Sequence, residues 1–174
     1  MFKTWFPDSD TLSPYGIDYD KLYAKGYRGV IYDIDNTIVP HGAPATEEAV
    51  LMFERVRKAG LKTMLLSNNK EERVKPFADA VKSPYIYKAS KPSTKGYLKA
   101  MELMNTDANS TVFVGDQLFT DIWGAKRSGI KTILVRPIDP HEEIQIILKR
   151  YPERLILYFY NKYKKKNSNY RKIY

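Results

Sequence analysis

Short apolar runs alternate along this chain with longer segments whose apolar residues recur at helical spacing. Five runs have the length and apolar content of buried strands, at residues 28–34, 61–66, 85–87, 111–115 and 131–135. Four segments have the periodicity of helices with one buried face, at residues 46–60, 70–81, 93–104 and 118–128. This alternation predicts an α/β fold, in which a parallel central sheet carries helices on both faces.

The same periodicity identifies the helical residues that should face the core. For the helix that begins at Thr46, these are Val50, Leu51, Phe53 and Val56. For the helix over 93–104, these are Tyr97, Leu98, Met101 and Met104. Both sets therefore predict amphipathic helices that pack on the sheet.

One domain with a substantial core is expected from 174 residues, of which 43% are hydrophobic. No apolar stretch approaches the roughly 20 residues of a membrane span, and the first residues lack the long apolar region of a signal peptide. The chain has no cysteine, which excludes disulfides, thiolate zinc sites and phosphatases with a cysteine nucleophile. We therefore expect a cytoplasmic protein.

Within this single domain we expect a core at residues 27–139, an N-terminal extension at 1–26 and a C-terminal helical extension at 140–174. The net charge of +9 is concentrated near the end, where residues 161–174 contain six Lys or Arg and no acidic residue. Such a basic tail suits peripheral contact with an anionic partner, either a membrane surface or RNA. The alternative is a solvated terminus without a partner.

The segment after Pro152 is predicted to form a helix with one apolar and aromatic face. That face consists of Ile156, Phe159, Tyr160 and Tyr163. Because lysines follow directly at 164–166, the face suits the interface of an anionic bilayer. The alternative is that it packs on the helical layer of the same protein.

Two aspartates at the end of the first strand-like run, Asp33 and Asp35, are the first candidates for chemistry. Ligands of α/β sheets bind at the carboxyl ends of strands, and residues two apart in an extended chain point to the same side. Two carboxylates this close repel each other unless a cation, a shared proton or solvent compensates them. The pair therefore predicts a nucleophile or a ligand of a hard metal ion.

Polar residues follow two later strand-like runs as well. The second long run ends in Ser67 and Asn68, and the third long run leads into Asp116 and Asp121. Lys91, followed by proline, lies between them. Hydroxyl, amide and ammonium groups suit a phosphate, whereas carboxylates suit Mg²⁺. These residues are expected to meet at one edge of the sheet.

In chain order these motifs read D-x-D-N-T, S-N, K-P and G-D-x-x-x-x-D, and together they resemble the haloacid dehalogenase (HAD) superfamily of aspartate-dependent phosphatases. The segments DIDNT and GDQLFTDI are similar to the class IIIA phosphatases of the YqeG family, which is related to mitochondrial phosphatidylglycerophosphate phosphatases. The resemblance covers roughly residues 27–136. It implies a three-layer Rossmann-like fold and a Mg²⁺-dependent phosphomonoester hydrolase.

The resemblance also implies a role for each matching residue. Asp33 is expected to be the nucleophile that forms an aspartyl-phosphate. Asp35 is expected to act as general acid and then as general base. Lys91 offsets negative charge and contacts the phosphate together with Ser67 and Asn68.

The metal site that the resemblance implies holds Mg²⁺ with Asp33, Asp116 and Asp35, the last through its backbone carbonyl. Asp121 is expected to orient Lys91 or a metal-bound water from behind these ligands. His41 lies in a flap at residues 39–44, where a solvated loop histidine is the simplest interpretation, so it is left out of the catalytic set.

Relatives in this superfamily often carry a cap domain inserted between the motifs. Here 31 residues separate Asp35 from Ser67 and 23 separate Ser67 from Lys91, which leaves room for one helix in each interval and a short strand in the second. A capless, open site is therefore expected. Such a site favours a large, surface-bound or membrane-embedded ester, because the substrate or its surroundings must exclude water.

The substrate implied most closely by the resemblance is phosphatidylglycerophosphate, although the sequence shows no motif that reads its headgroup. A phosphoprotein phosphatase is an alternative within the same enzyme class. An RNA- or ribosome-associated binding module with secondary phosphatase activity is an alternative from another class, with the basic tail and its tyrosines as the contact surface.

Overall fold

A parallel sheet forms the centre of the molecule in the computed structural model, which describes residues 2–139, 144–167 and 172–174. Within these residues the sheet has six strands in the order β1-β6-β5-β2-β3-β4, all parallel. The strands are β1 (Ser9–Asp10), β2 (Gly29–Tyr32), β3 (Lys62–Leu66), β4 (Tyr85–Ile86), β5 (Thr111–Gly115) and β6 (Lys131–Leu134). The central pair, β2 and β5, is buried along its whole length.

The described helices connect successive strands or flank the sheet. They are α1 (Tyr19–Ala24), α2 (Glu47–Lys58), α3 (Glu71–Val81), α4 (Thr94–Met104), α5 (Trp123–Arg127) and α6 (Ile144–Lys166). Short 3₁₀ turns lie at Phe2–Trp5 and Pro14–Gly16, and a π-helical turn at Leu118–Ile122 leads into α5. Parallel strands need such crossovers, so this arrangement follows from the alternation in the sequence.

Alternate residues of β2 face opposite layers of helices. Val30 and Tyr32 belong to the core formed with α1, α2 and α3, where the rings of Tyr32 and Phe53 lie 5.1 Å apart. Ile31, between them, belongs to the core formed with α4 and α5. The predicted three-layer, Rossmann-like architecture is therefore confirmed.

Two helical residues that we predicted to be buried are instead exposed. Leu51 has 56% of its surface exposed and Leu98 has 52%, whereas Met52 is buried. The buried residues of α2 are Ala49, Met52, Phe53 and Val56. Leu51 falls outside this stripe because each residue advances the helix by about 100°, and Leu98 is displaced from the stripe of α4 in the same way.

The secondary structure also differs from the sequence prediction in a missed strand, in the type of one helical turn and in the start of one helix. Strand β1 was missed, because two residues at a sheet edge have no periodicity to detect. The predicted helix at 118–128 begins with the π-helical turn rather than an α-helical one. Helix α6 begins at Ile144 and contains Pro152, whereas we predicted a helix that starts after this proline.

The C-terminal helix packs on the sheet with the face that we predicted to be apolar. Ile156 and Tyr160 are buried against Phe6, Leu118 and Leu134, and Tyr163 packs beside them. Of the predicted face, Phe159 is the most exposed member, at 38%. Packing within the protein therefore accounts for most of this face.

The end of the chain contacts the core. The Lys164 ammonium is 2.7 Å from one carboxylate oxygen of Asp10, and the buried Tyr174 hydroxyl donates a hydrogen bond to the Asp10 carbonyl at 3.0 Å. The predicted boundary at Pro140, His141 and the tail residues 168–171 lie outside the described residues. Among the helices that are described, none combines the length and apolar content needed to cross a membrane.

Candidate active site

The predicted site residues meet at the carboxyl ends of neighbouring strands. Asp33 follows β2, Ser67 follows β3 and Asp116 follows β5. Because β2 lies between β3 and β5 in the sheet, the three strand ends converge on one point. This is the edge at which α/β proteins bind ligands.

Asp33 is held by a buried lysine from a distant part of the chain. The Lys91 ammonium lies 2.6 Å from Oδ1 of Asp33 and 2.7 Å from Oδ1 of Asp121, and all three side chains are buried. The backbone N–H of Gln117 donates to the other oxygen of Asp121 at 3.1 Å. The Asp121 carboxylate is therefore in direct contact with Lys91, and its predicted role in orienting this lysine stays a prediction.

Thr37 connects the first and last motifs. Its hydroxyl lies 3.2 Å from Oδ2 of Asp33 and 3.1 Å from Oδ1 of Asp116. The turn that brings it there has Asn36 in the left-handed region, with φ of 62°, a conformation that asparagine tolerates better than most residues. No role for Thr37 was predicted from the sequence, so this bridging contact is known only from the structure.

Burial and neighbouring charges shift the pKa values of the central pair. Burial raises the pKa of Asp33 to about 6, with Lys91 opposing this shift and Asp121 adding to it. Burial by itself lowers the pKa of Lys91, but the carboxylates of Asp121 and Asp33 outweigh it and raise the pKa. Lys91 is therefore a fixed positive charge at the base of the site.

The carboxylates fit a divalent cation. Asp33, Asp116 and Asp121 each place an oxygen so that these atoms lie within 4.8 Å of one another, and all three residues are buried. The Lys91 ammonium contacts two of these groups, Asp33 and Asp121. Carboxylate oxygens are the ligands that suit Mg²⁺.

Asp35 lies in a different environment from Asp33. Its Oδ1 accepts hydrogen bonds from the Arg73 guanidinium at 2.8 and 3.2 Å and from the Gly42 N–H at 2.9 Å. The Asn69 amide lies 3.4 Å from its other oxygen. Burial alone raises the pKa of Asp35, but these hydrogen bonds and the charge of Arg73 more than offset it and lower the pKa. The Asp35 carboxylate is not in the acidic cluster, which leaves its backbone carbonyl as the candidate ligand.

Asn68, in the polar segment that follows β3, holds the backbone of Lys91. The Asn68 side chain accepts a hydrogen bond from the Lys91 N–H at 2.6 Å and donates one to the Lys91 carbonyl at 3.1 Å. The Ser67 hydroxyl, which is buried, accepts from the N–H of Asn69 at 3.1 Å. Ser67 does not cap α3, which begins after Lys70 without a side-chain cap.

Two further contacts were not predicted from the sequence. Arg73 lies in the first turn of α3, where the charge of a single arginine in a polar helix gives no signal. Glu153 is buried in α6 and accepts hydrogen bonds from the N–H groups of Leu118 at 2.8 Å and Phe119 at 3.4 Å. Both residues act across long sequence separations. His41 is exposed in the flap, as expected.

A family model and sequence relatives match this chain. The model of haloacid dehalogenase-like hydrolases matches residues 44–129. The Bacillus subtilis (strain 168) protein YqeG, described as a probable phosphatase, is 38% identical over 159 residues, which cover 90% of this chain and 92% of YqeG. The Arabidopsis thaliana phosphatidylglycerophosphate phosphatase 1 is 27% identical over 145 residues, which cover 75% of this chain and 40% of that protein.

A solved structure shares the fold. An uncharacterized protein from Listeria monocytogenes serotype 4b superposes with a TM-score of 0.52 at 20% sequence identity. The match covers 75% of this chain and 97% of the Listeria chain. At this identity the likeness supports the architecture described above.

Proposed function

Since the chain belongs to the haloacid dehalogenase-like hydrolases and is a phosphomonoester hydrolase of that family, we propose that Asp33 is its nucleophile. The observation that carries this proposal is the environment of Asp33. This carboxylate is buried at the end of β2, with Lys91 fixed on one oxygen and Thr37 on the other. A rigidly oriented carboxylate beside a fixed positive charge suits attack on an anionic phosphate.

In the first step a carboxylate oxygen of Asp33 forms a bond to phosphorus, while the bond from phosphorus to the ester oxygen breaks. Asp35 gives its proton to the departing alkoxide. In the second step water attacks phosphorus, Asp35 takes the proton from this water, and the aspartyl oxygen leaves. Inorganic phosphate is released and the Asp33 carboxylate is restored.

Asp35 has to change partners during this cycle. The contacts with Arg73 and Gly42 favour its ionised form, which is the form that the second step needs. For the first step, we propose that the bound leaving group replaces part of the Arg73 contact, so that Asp35 carries a proton when the alkoxide departs. Arg73 then holds the carboxylate again when water enters.

Mg²⁺ is the proposed cofactor, held by Asp33, Asp116 and the backbone carbonyl of Asp35. When bound, it supplies positive charge that neutralises the phosphate and the acidic cluster. Asp121 stays behind these ligands, where it fixes Lys91. Ser67 is proposed to donate to a phosphoryl oxygen, whereas Asn68 acts through the backbone of Lys91.

The proposed substrate is a large or surface-bound phosphomonoester, with phosphatidylglycerophosphate as the first candidate. Between Asp33 and Lys91 the chain forms α2, α3 and the two strands β3 and β4, so no inserted domain covers the site. The Arabidopsis relative, by its name, is a phosphatidylglycerophosphate phosphatase. We further propose a cytoplasmic enzyme that works at the membrane surface.

A phosphate-release assay with Mg²⁺ tests this proposal across substrate classes. The panel contains phosphatidylglycerophosphate in mixed micelles, a phosphopeptide, a sugar phosphate and p-nitrophenyl phosphate, each with and without chelator. We expect Mg²⁺-dependent release from the lipid at a kcat/KM well above that of the other esters. Preference for the phosphopeptide or the sugar phosphate would reject the lipid substrate, and full activity in chelator would reject the metal.

A further inference from the structure

Helix α6 lies at the same edge of the sheet as the active site. Near its middle, the Glu153 carboxylate accepts a hydrogen bond from the N–H of Leu118, just beyond the carboxyl end of β5. Further along, the Tyr160 hydroxyl donates to the carboxylate of Asp10 at the end of β1, at 2.9 Å. Ile156 packs in the same cluster as Leu134 at the end of β6. The helix therefore runs past the carboxyl ends of β5, β6 and β1. The end of β5 carries Asp116, and the neighbouring end of β2 carries Asp33.

The side of α6 that faces away from these contacts carries large apolar and aromatic side chains. They recur at the spacing of one helical face and are Tyr151, Leu155, Tyr158 and Phe159. Tyr158 has 62% of its surface exposed and Leu155 has 53%. Exposed aromatic residues grouped in this way mark an interaction surface rather than ordinary scatter.

Basic residues flank this exposed face, and α6 carries no exposed acidic residue between 151 and 166, the part of the helix whose side chains are described. Arg154, Lys162, Lys165 and Lys166 are all exposed. Glu153 is the one acidic residue between 151 and 167, and it is buried in its contact with Leu118 and Phe119. Lys164 differs from its neighbours, because its ammonium is paired with Asp10. The outward surface of α6 thus combines positive charge with aromatic and aliphatic groups.

We propose that this outward surface of α6 binds an anionic lipid bilayer. Tyrosine and phenylalanine are suited to the boundary between headgroups and acyl chains, and flanking lysines are attracted by anionic headgroups. RNA also attracts lysines and stacks on aromatic rings, but the aliphatic Leu155 in the middle of the face has no role in base stacking. Because α6 adjoins the active-site edge, this contact would hold the open site close to the headgroups.

Co-sedimentation of the full-length protein with vesicles tests this surface without turnover. The vesicles contain phosphatidylcholine with or without phosphatidylserine, a phosphodiester that a phosphomonoesterase does not hydrolyse. We expect binding to the anionic vesicles that weakens as the salt concentration rises. Since the assay needs no catalysis, a failure here leaves the proposed chemistry intact, and an inactive enzyme leaves the surface testable.

Two pairs of variants locate the binding. Replacing Lys162, Lys165 and Lys166 together by Gln should weaken binding on the order of a hundredfold, since each basic residue near the surface contributes about fivefold. The matched control removes the same charge elsewhere, by Lys21→Gln, Lys58→Gln and Lys99→Gln, and should leave binding unchanged. In the second pair, Leu155→Ser with Tyr158→Ser should abolish the binding that persists at high salt, whereas Leu51→Ser with Leu98→Ser should not.

Point substitutions are used because truncation of the tail would also remove the contacts of Lys164 and Tyr174 with Asp10. The thermal unfolding midpoint of each variant checks that the fold is intact. Equal binding by the α6 variants and their controls would overturn the proposal. The proposal would also be overturned if the wild-type protein does not bind anionic vesicles at low salt. Binding to single-stranded RNA in an anisotropy assay, without binding to vesicles, would overturn it as well.

Discussion

Asp33 and Asp35 are two residues apart, but their surroundings shift their pKa values in opposite directions. Asp33 is buried with Lys91, and burial raises its pKa to about 6. Asp35 lies nearer the rim, where Arg73 and Gly42 hold its pKa below the usual value despite partial burial. One aspartate is thus enclosed with a fixed ammonium, and the other is attached to a partly exposed guanidinium.

This difference shows that the spacing of a D-x-D motif supplies two carboxylates without assigning their tasks. The tasks depend on partners from remote segments, since Lys91 precedes α4 and Arg73 lies in α3. Both carboxyl groups are ionised at neutral pH, which suits Asp33 as the nucleophile, whereas Asp35 can act as general acid only after substrate binding changes its contacts.

The largest effect is expected from Asp33→Asn. An amide is a poor nucleophile, so phosphate release should fall by about a thousandfold or more, with Lys91 and Thr37 left in place. Steady-state release from p-nitrophenyl phosphate measures the loss. Asp20→Asn, an exposed aspartate in α1, is the control and should retain wild-type turnover. Turnover near the wild-type rate in Asp33→Asn would remove the nucleophile assignment.

Asp35→Asn should cost on the order of a hundredfold in kcat on an alkyl phosphate, because both proton transfers are lost. On p-nitrophenyl phosphate the loss should be smaller, since p-nitrophenolate leaves without needing a proton. The ratio of the two losses is therefore the informative quantity. An equal loss on both esters would mean that Asp35 does not protonate the leaving group.

The free energy of unfolding should depend on pH differently in the wild-type protein and in Asp33→Asn. In the folded protein the pKa of Asp33 is raised from 3.8 to about 6, so between these values the folded state binds more protons than the unfolded state. The contribution of Asp33 to stability is therefore present at low pH and is lost as pH rises to about 6. Relative to Asp33→Asn, wild-type protein should lose about 3 kcal/mol over this window.

Denaturant titrations in chelator at pH 4 to 7 measure this difference, with chelator present because a bound cation would stabilise the ionised carboxylate. Asp35→Asn provides the contrast. Because the pKa of Asp35 is lowered, its ionised carboxylate stabilises the folded state at every pH above the usual pKa of an aspartate. This stabilisation is lost only as the pH falls through the lowered pKa. Parallel stability curves for wild type and Asp33→Asn would contradict the raised pKa of Asp33.

The smallest effect is expected from Arg73→Gln. Loss of the guanidinium should raise the pKa of Asp35 and move the acidic limb of the pH–rate profile to higher pH, with kcat changed by about tenfold or less. Arg73→Lys keeps the charge but loses the second N–H contact, so its shift should be smaller. If the pH–rate profile of Arg73→Gln is the same as that of the wild type, Arg73 does not control the protonation of Asp35.

Most of the fold could be predicted because buried parallel strands are continuous apolar runs, as in β2 and β5. Strand β1 escaped prediction because its pairing with β6, rather than its two residues, makes it a strand. Leu51 was misplaced because hydrophobicity alone does not fix helical register to one residue. In each case the missing information lies in tertiary contacts.

The candidate site also contains residues that the sequence predicts and contacts that it does not. Asp33, Lys91, Asp116 and Asp121 were identified because strand ends and motif order bring them together. The contacts of Thr37 and Arg73 were not foreseen, since they depend on the path of the flap and the docking of α3. A sequence therefore indicates which groups meet at the sheet edge more readily than which group sets the pKa of another.

We expect that Asp33 becomes phosphorylated during turnover and that Asp35 does not. Single-turnover reactions with enzyme in excess, quenched in acid and mapped by peptide mass spectrometry, locate the phosphoryl group. We expect a transient phosphoryl group on the Asp33 side chain that precedes phosphate release and that Asp33→Asn does not form. Phosphate released at the full rate with no phosphorylated peptide, or with the phosphoryl group on Asp35, would contradict this expectation.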